Sequence, residues 1–342
     1  MRLTRLVVTG FTLILFAAVL AIAQPNWEVV KTFPIGGQGA WDYLTVDPHA
    51  HKLYVPRGTH TMVIDSESGK TIADIAGQKI AHGVVIVPEA GRGFISDGGG
   101  EGGIVIFDLK TYAVLGTLIA QPDADGIIFD SASGRVLVVS GDKGVLMSFK
   151  PDIDPKSGKI DAPIVLDGAP EFLASDGAGK VFINLMDKNE VAVVDFKARK
   201  VVARWPVAPG GAPVGMSIDT NKRRLFIGCR KPQKLIVMSA DDGKVIADLP
   251  IGDHVDATKI DNGQVFASCA DGTLAVAGET SPGKFEIVQT VKTPRGARTM
   301  GFETTTHRIY RPTAEYGPGA SGRPATKPGT FMIVVVARRA GH

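Results

Sequence analysis

Ionisable residues occupy six of seven positions that recur in this chain at intervals close to forty residues, a pattern able to assemble one polar site. The intervals are 40, 43, 46, 43, 42 and 42 residues, and the positions are Asp42, His82, Asp125, Glu171, Val214, Asp256 and Arg298. Carboxylates and an imidazole together suit several divalent metals, so His82, Asp125 and Glu171 are candidate metal ligands. Alternatively, Arg298 and His82 could hold an anionic ligand while a carboxylate acts as a base.

A glycine-rich segment, "ISDGGGEGGIVIFD" (95–108), has the spacing of a phosphate-binding loop. Gly98, Gly100 and Gly103 match G-x-G-x-x-G, which needs a strand before the glycines and a helix after them. The residues that follow, "IVIFDLKTYAVLGTLIA", are rich in β-branched and aromatic types and show no helical stripe. The sequence therefore predicts a strand-to-strand hairpin here and disfavours a nucleotide site.

Seven segments of the chain share one pattern, which supplies the elements that position the ionisable residues. The units begin near residues 41, 81, 124, 170, 213, 255 and 297. Each reads as four short strands separated by turns, which is typical of a β-propeller blade. The first turn of each unit is expected at Asp47, Val87, Asp130, Asp176, Asp219, Asp261 and Glu303. The pattern thus predicts an all-β, seven-bladed β-propeller with four-stranded blades.

The seventh unit ends after its third strand, and the missing strand is expected at the other end of the chain. The segment "WEVVKTFPIGG" (27–37) resembles the outer strands "GKTIADIAG" and "GKVIADLPIG". We expect it to complete the last blade and to close the ring, which removes two exposed sheet edges. Residues 24–342 then form a single domain.

Two units carry a family resemblance, "KLYVPRGTHTMVIDSESGKTIADI" and "KVFINLMDKNEVAVVDFKARKVVARW". They resemble the YVTN-repeat (YncE-like) family of bacterial seven-bladed β-propellers, over about residues 27–338. The resemblance implies the fold and an exported or surface protein. It implies little about activity, because propellers support many functions. Some family members are linked to nucleic-acid binding, and related propellers include lactonases and subunits of redox enzymes.

In a propeller the first strand of each blade lines the central channel, so the recurring positions are expected at the channel mouth. Ionisable groups on a concave surface are a default ligand-site hypothesis. A water-filled mouth is also polar without any ligand, and Asp42 or Asp256 can simply pair with Arg298. Arg57 and Asp97, at the ends of second strands, could extend the pocket or be solvated loop charges.

Two further features, the cysteines and a long hairpin, leave alternatives open. Cys229 and Cys269 occupy equivalent positions in adjacent units, so a disulfide is plausible by compartment but doubtful by geometry. The long hairpin "TAEYGPGASGRPATKPG" (313–329) is either a functional lid, with Tyr316, Arg323 and Lys327 as contact groups, or a mobile loop without a role. No G-x-S-x-G or C-x-x-C-H motif occurs in the sequence.

The first 23 residues, "MRLTRLVVTGFTLILFAAVLAIA", predict a secretory signal peptide cleaved before Gln24, with an uncleaved anchor as the alternative. The expected location is therefore periplasmic or secreted, with no membrane span after cleavage. The chain holds 38 basic and 35 acidic residues; without Arg2 and Arg5 the numbers are 36 and 35, a net charge of +1. This balance, with no aromatic–basic stripe, disfavours a nucleic-acid partner.

The sequence favours a binding or interaction protein that recognises a small molecule or a protein through the mouth, and we expect a monomer. The ligand-binding candidates are Asp42, His82, Asp125, Glu171, Asp256, Arg298, Arg57 and Asp97. One alternative is a metal-assisted hydrolase of lactonase type, with a divalent metal ion as cofactor. Another is a periplasmic accessory of redox or metal metabolism, which would need a bound cofactor or partner.

Overall fold

The computed structural model describes residues 26–318 and 324–339, and these residues consist almost wholly of antiparallel strands. Their one helical element is a 3-10 turn of three residues, Pro88–Ala90. The predicted signal peptide (1–23), its cleavage point before Gln24, and Arg323 lie outside the described residues. None of the described helical structure is long and apolar enough to cross a membrane.

The strands in the first half of the chain are β1 (Trp27–Pro34), β2 (Thr45–Asp47), β3 (Lys52–Pro56), β4 (Gly58–Asp65), β5 (Thr71–Val87), β6 (Arg92–Asp97), β7 (Gly103–Asp108), β8 (Val114–Ile119), β9 (Ala124–Asp130), β10 (Arg135–Ser140), β11 (Val145–Phe149), β12 (Ile164–Val165), β13 (Pro170–Ser175) and β14 (Lys180–Leu185).

The strands in the second half are β15 (Glu190–Asp195), β16 (Lys200–Pro206), β17 (Pro213–Asp219), β18 (Arg224–Arg230), β19 (Gln233–Ser239), β20 (Val245–Pro250), β21 (Val255–Asp261), β22 (Gln264–Cys269), β23 (Thr273–Ser281), β24 (Lys284–Lys292), β25 (Gly301–Glu303), β26 (Arg308–Thr313), β27 (Tyr316–Pro318), β28 (Pro324–Thr326) and β29 (Met332–Arg338).

Most strands assemble into four-stranded antiparallel sheets, an architecture that fits a β-propeller and confirms the all-β prediction. Four of these sheets follow chain order, namely β9 to β12, β13 to β16, β17 to β20 and β21 to β24. A fifth has the order β1-β29-β26-β25, and β27 pairs with β28 in a small separate ribbon. Strands β2 to β8 form one sheet of seven strands.

The seven-stranded sheet differs from the expected arrangement, in which separate units begin near residues 41 and 81. A single 17-residue strand, β5, pairs with β4 through its first part and with β6 through its second part. The chain stays extended between the two parts because the Asp97 carboxylate accepts the backbone N–H groups of Lys79 (2.9 Å) and Ile80 (2.7 Å). The two units therefore share one continuous strand.

The N-terminal strand completes the last sheet, as the sequence predicts. In β1, Trp27 lies opposite Arg338 of β29 and Phe33 lies opposite Ile333. The Trp27 indole is buried, donates to Gln264 (2.9 Å) and packs edge-on against Phe266 at 4.8 Å between ring centroids. Since Gln264 and Phe266 belong to β22, these contacts also fasten β1 to the neighbouring sheet.

Burial explains why the middle strands are apolar and the outer strands alternate. Strand β10 is buried along nearly its whole length because its sheet packs against a neighbour on each face. The outer strand β16 alternates between half-buried and exposed residues, as expected for a strand with one solvated face.

The inner strands lie side by side in the order β2, β5, β9, β13, β17 and β21, and β2 also lies beside β25. The seven expected turn residues each end an inner strand or, for Asp176, follow it directly. Asp47 shows why such a residue suits the turn, since its carboxylate accepts the backbone N–H groups of His49 (3.0 Å) and Ala50 (2.9 Å). The regular turns bring the start of every inner strand to one face.

Candidate functional site: a charged cavity at the channel mouth

One cavity of about 420 Å³ gathers all seven of the recurring positions. We call it the mouth cavity, and its wall consists of Asp42, Tyr43, His82, Asp125, Glu171, Val214, Arg230, His254, Asp256, Ala270 and Arg298. Asp42 and Arg298 lie in the loops that precede β2 and β25, while the other recurring residues lie at the beginnings of inner strands or within β5. The repeat spacing therefore identified which residues come together.

Asp256 is the most thoroughly paired of the acidic residues in this wall. Its Oδ1 lies 2.8 Å from Nη2 of Arg230, and its Oδ2 lies 2.5 Å from Nε of Arg298. Burial raises the pKa of Asp256, while the two guanidinium groups oppose that rise. Arg230 also donates to the Val255 carbonyl at 3.1 Å, so this part of the wall is held by mutual pairing.

His82 is surrounded by carboxylates. Its Nδ1 lies 2.9 Å from Oδ2 of Asp42 and 3.7 Å from Oδ1 of Asp125, and its Nε2 lies 4.0 Å from Oδ1 of Asp123. Burial lowers the pKa of His82, but the hydrogen bond to Asp42 and the charges of Asp125 and Asp123 outweigh it and raise the pKa to about 9. The imidazole is therefore a cation at neutral pH.

Glu171 differs from the other acids because, within the described part of the chain, its carboxylate has no hydrogen bond and no ion pair. Burial raises the pKa of Glu171 to about 7, Arg230 opposes the shift, and nearby Asp256 adds to it. Burial also raises the pKa of Asp125, whose nearest cation is His82. Glu171 is thus the carboxylate of the cavity that is left to interact with a ligand, while Asp125 faces His82 at 3.7 Å.

Tyr43 separates the mouth cavity from a second, larger cavity and lines both. Its hydroxyl donates to the backbone carbonyl of Asp256, and its ring stacks on Phe172 with centroids 4.5 Å apart. Burial raises the pKa of Tyr43 well above its usual value, so the hydroxyl stays protonated.

The residues that could hold a metal ion in the structure differ from those predicted from the sequence. Among the described residues, one ligand atom from each of Asp42, His82 and Asp125 lies within 4.8 Å of the others. Glu171, which the sequence placed in this group, is not part of it. Asp42 was a ligand candidate already, and the structure shows that it lies closer to His82 than Asp125 does.

Arg57 has a structural environment and does not line the mouth cavity. Its guanidinium donates to the carbonyls of Ala40 (3.1 Å), Gly36 (3.2 Å), Gln38 (2.9 Å) and Gly39 (3.1 Å), and it lies over the Phe331 ring at 3.6 Å. It is almost fully buried. Its donors are therefore used in holding the loop between β1 and β2.

Asp97 likewise lies outside the mouth cavity, beside the glycine-rich hairpin that joins β6 to β7. The sequence prediction of a hairpin is confirmed, since Asp97 pairs with Gly103 across it. The hairpin is also closely packed: a Cβ on Gly98 would lie 2.8 Å from Nε2 of His82, and one on Gly102 would lie 1.9 Å from the Gln121 carbonyl oxygen. Glycine is needed at Gly98 and Gly102 because His82 and the Gln121 carbonyl lie where a side chain would begin. Gly98 therefore packs directly against the His82 ring.

Four wall residues were not among the candidates from the sequence, namely Tyr43, Arg230, His254 and Ala270. Arg230 could have been found, since it directly follows Cys229, one of the second-strand ends. Both cysteines are free and buried, and burial raises the pKa of each thiol to about 12. In the 313–329 hairpin, Tyr316 lines a neighbouring pocket with His254, and Lys327 pairs with Glu315 at 3.1 Å.

No protein-family model matches the chain, and no curated protein matches it. Its fold is similar to that of hydrazine synthase from Kuenenia stuttgartiensis, a protein that contains a β-propeller. The TM-score is 0.70 at 12% sequence identity, over 90% of this chain and 96% of that chain. At this identity the likeness shows the fold alone, and it agrees with the four-stranded antiparallel sheets of the present structure.

Proposed function

We propose that this protein is an exported binding protein of the YVTN-repeat type that takes a small ligand into its mouth cavity. It is a monomer with one domain, a seven-bladed β-propeller over residues 24–342. The ring closes through β1, and β5 is the outer strand of one blade and the inner strand of the next. Support comes from seven evenly spaced turn residues, from the pairing of β1 with β29 and from the order of the inner strands.

Export is supported by the N-terminal sequence, in which Arg2 and Arg5 precede an apolar run and Ala21 and Ala23 lie just before the expected cleavage site. The mature protein is periplasmic or secreted. N-terminal sequencing of the protein recovered after expression in a bacterial host should give Gln24 as the first residue. A chain that begins at Met1 in the membrane fraction would contradict the proposal.

The observation that carries the function is the imbalance between paired and unpaired charge in the mouth cavity. Asp256 is matched by Arg230 and Arg298, and His82 is matched by Asp42. Among the described residues Glu171 has no such partner, and Asp125 only shares His82, at 3.7 Å. A half-buried carboxylate is stabilised by a hydrogen-bond donor or a cation, so a ligand that supplies these groups to Glu171 binds favourably.

The ligand class is therefore a small molecule with an amino group or several hydroxyl groups. The alternative from the sequence, an anion held by Arg298 and His82, has less support because both cations already face carboxylates. A volume of about 420 Å³ suits a ligand of monosaccharide size.

Isothermal titration with three probes tests this class: glucosamine carries an amino group, glucose is neutral and gluconate is an anion. We expect glucosamine to bind most tightly and gluconate least. Glu171→Gln should weaken glucosamine binding by roughly tenfold, because a charge-assisted hydrogen bond is lost. Glu89→Gln, an exposed acid far from the cavity, is the matched control and should bind as the parent does. Preference for gluconate, or no binding of any probe, contradicts the proposal.

A second candidate function is metal-assisted hydrolysis, and the cluster of Asp42, His82 and Asp125 favours it. A divalent ion held there would polarise a carbonyl oxygen or activate water. Glu171, whose pKa of about 7 lies close to neutral pH, could then accept a proton in its ionised form. Because His82 is protonated at neutral pH, binding of the ion must release that proton.

Metal analysis after dialysis against Zn²⁺ or Mn²⁺ tests this second candidate. One ion per chain is expected, with tighter binding at higher pH. His82→Ala should abolish it, whereas His307→Ala should not. His307 is the matched control since it forms a similar pair with Asp261 at 2.9 Å, outside the mouth cavity. Metal retained by His82→Ala, or a loaded protein that opens no lactone, rules this candidate out.

A further inference from the structure

The second cavity of the channel has a volume of about 740 Å³ and lies between the inner strands. We call it the channel chamber. Its wall includes Asp130 and Asp176, the turn residues at the far ends of β9 and β13, so it opens at the face opposite the mouth cavity. Its exposed lining is somewhat more apolar than polar, with the half-buried Val85, Ile128, Phe172 and Ile218 beside Thr45 and Ser131.

Lys259, on strand β21, is the one basic residue in the described lining of the channel chamber. Its side chain is partly buried, and its Nζ lies 5.9 Å from the centroid of the Phe172 ring. Within the described residues the ammonium group has no hydrogen bond and no ion pair. Burial lowers the pKa of Lys259, because the charged ammonium group loses hydration.

The acidic residues of the same wall are already used elsewhere. Asp130 accepts hydrogen bonds from Ser133 and Ser175, each at 2.5 Å. Asp176 pairs with Arg223 at 3.1 Å and accepts turn N–H groups. Asp125 faces His82 at 3.7 Å. The chamber thus presents a single unmatched positive charge within an apolar wall.

We propose that the channel chamber binds a monocarboxylate with an apolar body, and that Lys259 holds the carboxylate. The aliphatic and aromatic wall accommodates the body, while the carboxylate supplies the partner that Lys259 lacks. The chamber volume falls within the range typical of small-molecule sites. Tyr43 and Asp125 line both cavities, but the site proposed for the mouth cavity favours a ligand of the opposite charge.

Equilibrium binding of octanoate, octanol and octylamine to the full mature protein tests the proposal. These probes share one chain length and differ in the head group. Octanoate should bind roughly ten times more tightly than octanol, and octylamine should bind most weakly, since its ammonium group meets that of Lys259. Equal affinity for octanoate and octanol, or no binding of octanoate, overturns the proposal without need of any variant.

Three variants locate the site. Lys259→Met should remove the preference for octanoate over octanol, while Lys259→Arg should keep it. Lys200→Met, an exposed lysine on β16, is the matched control and should bind as the parent does. Glu171→Gln should leave octanoate binding unchanged, which separates this proposal from that for the mouth cavity. An octanoate preference that survives in a folded Lys259→Met protein places the carboxylate elsewhere and overturns the assignment.

Discussion

The mouth cavity and the channel chamber differ in how their charges are balanced. In the mouth cavity, many charges lie together and most of them neutralise one another, as Asp256 does with Arg230 and Arg298. In the channel chamber, apolar side chains surround one cation, Lys259, that has no partner in the described structure. The number of charges is therefore a poor guide to where a ligand is needed, because what matters is the charge left uncompensated.

The comparison predicts the largest effect where a paired charge loses its partner. Asp256→Ala leaves two guanidinium groups without their carboxylate and should lower the free energy of unfolding by about 3 kcal/mol, the lower end for a buried pair because both guanidinium groups stay partly exposed. Urea unfolding measures this change. Asp248→Ala, which removes the partner of Lys234 in an exposed pair, is the control and should cost under about 1 kcal/mol. An equal loss in the free energy of unfolding for both variants would show that the pairing of Asp256 contributes no more to stability than an exposed ion pair does.

The His82–Asp42 pair predicts a specific dependence of stability on pH. Because the folded pKa of His82, about 9, exceeds its unfolded value, the stabilisation is complete below about pH 6.5 and is lost as the pH rises through 9. Relative to His82→Gln, the parent should lose up to roughly 3 kcal/mol of stability across this window. A parent protein whose stability relative to His82→Gln stays constant between about pH 6.5 and 9 would contradict this assignment.

Lys259→Met is expected to change stability in the opposite direction from Asp256→Ala. Replacing an unmatched, partly buried ammonium with an apolar side chain should raise the free energy of unfolding by roughly 1–2 kcal/mol at neutral pH. Since burial lowers the folded pKa of Lys259, the gain should shrink as the pH rises towards its unfolded value. Thermal melts of the two proteins at several pH values measure it, and a less stable variant would show that Lys259 has a compensating partner.

The smallest expected effect concerns ligand binding at Glu171. As the pH rises through about 7, Glu171 becomes ionised, so the affinity for glucosamine should increase several-fold. Titration at about pH 5.5 and about pH 7, below the range in which the amino group of glucosamine loses its proton, measures the change. The Glu171→Gln variant should show a flat profile over that range, and an unaltered rise in this variant would assign the titration to another group.

The mouth cavity could be predicted because its residues obey the repeat. Asp42, His82 and Asp125 occupy equivalent positions in successive units, and inner strands that lie side by side bring equivalent positions together. Lys259 could not be found in this way, since it has no counterpart with a charge in the other units. A single lysine among uncharged counterparts indicates a binding site only when the residues that surround it in the structure are known.

Arg57 and Asp97 show a different limit of sequence reasoning. Both stand at the ends of second strands, as expected, yet both are used to satisfy backbone groups of neighbouring loops. A repeat gives the position of a residue, but it does not reveal which carbonyl or N–H groups nearby lack partners. The continuity of β5 escaped prediction for the same reason, because the Asp97 carboxylate replaces a strand partner between its two parts.

The pairing of β1 with β29 has a consequence for how the molecule is assembled. The paired residues Trp27 and Arg338 are separated by roughly 300 residues, so this contact forms only after nearly the whole chain is available. Until then β1 presents a free edge, and the β29 strand of a second copy offers the same partner. Refolding at high protein concentration should therefore yield strand-exchanged dimers, whereas dilution should favour the monomer.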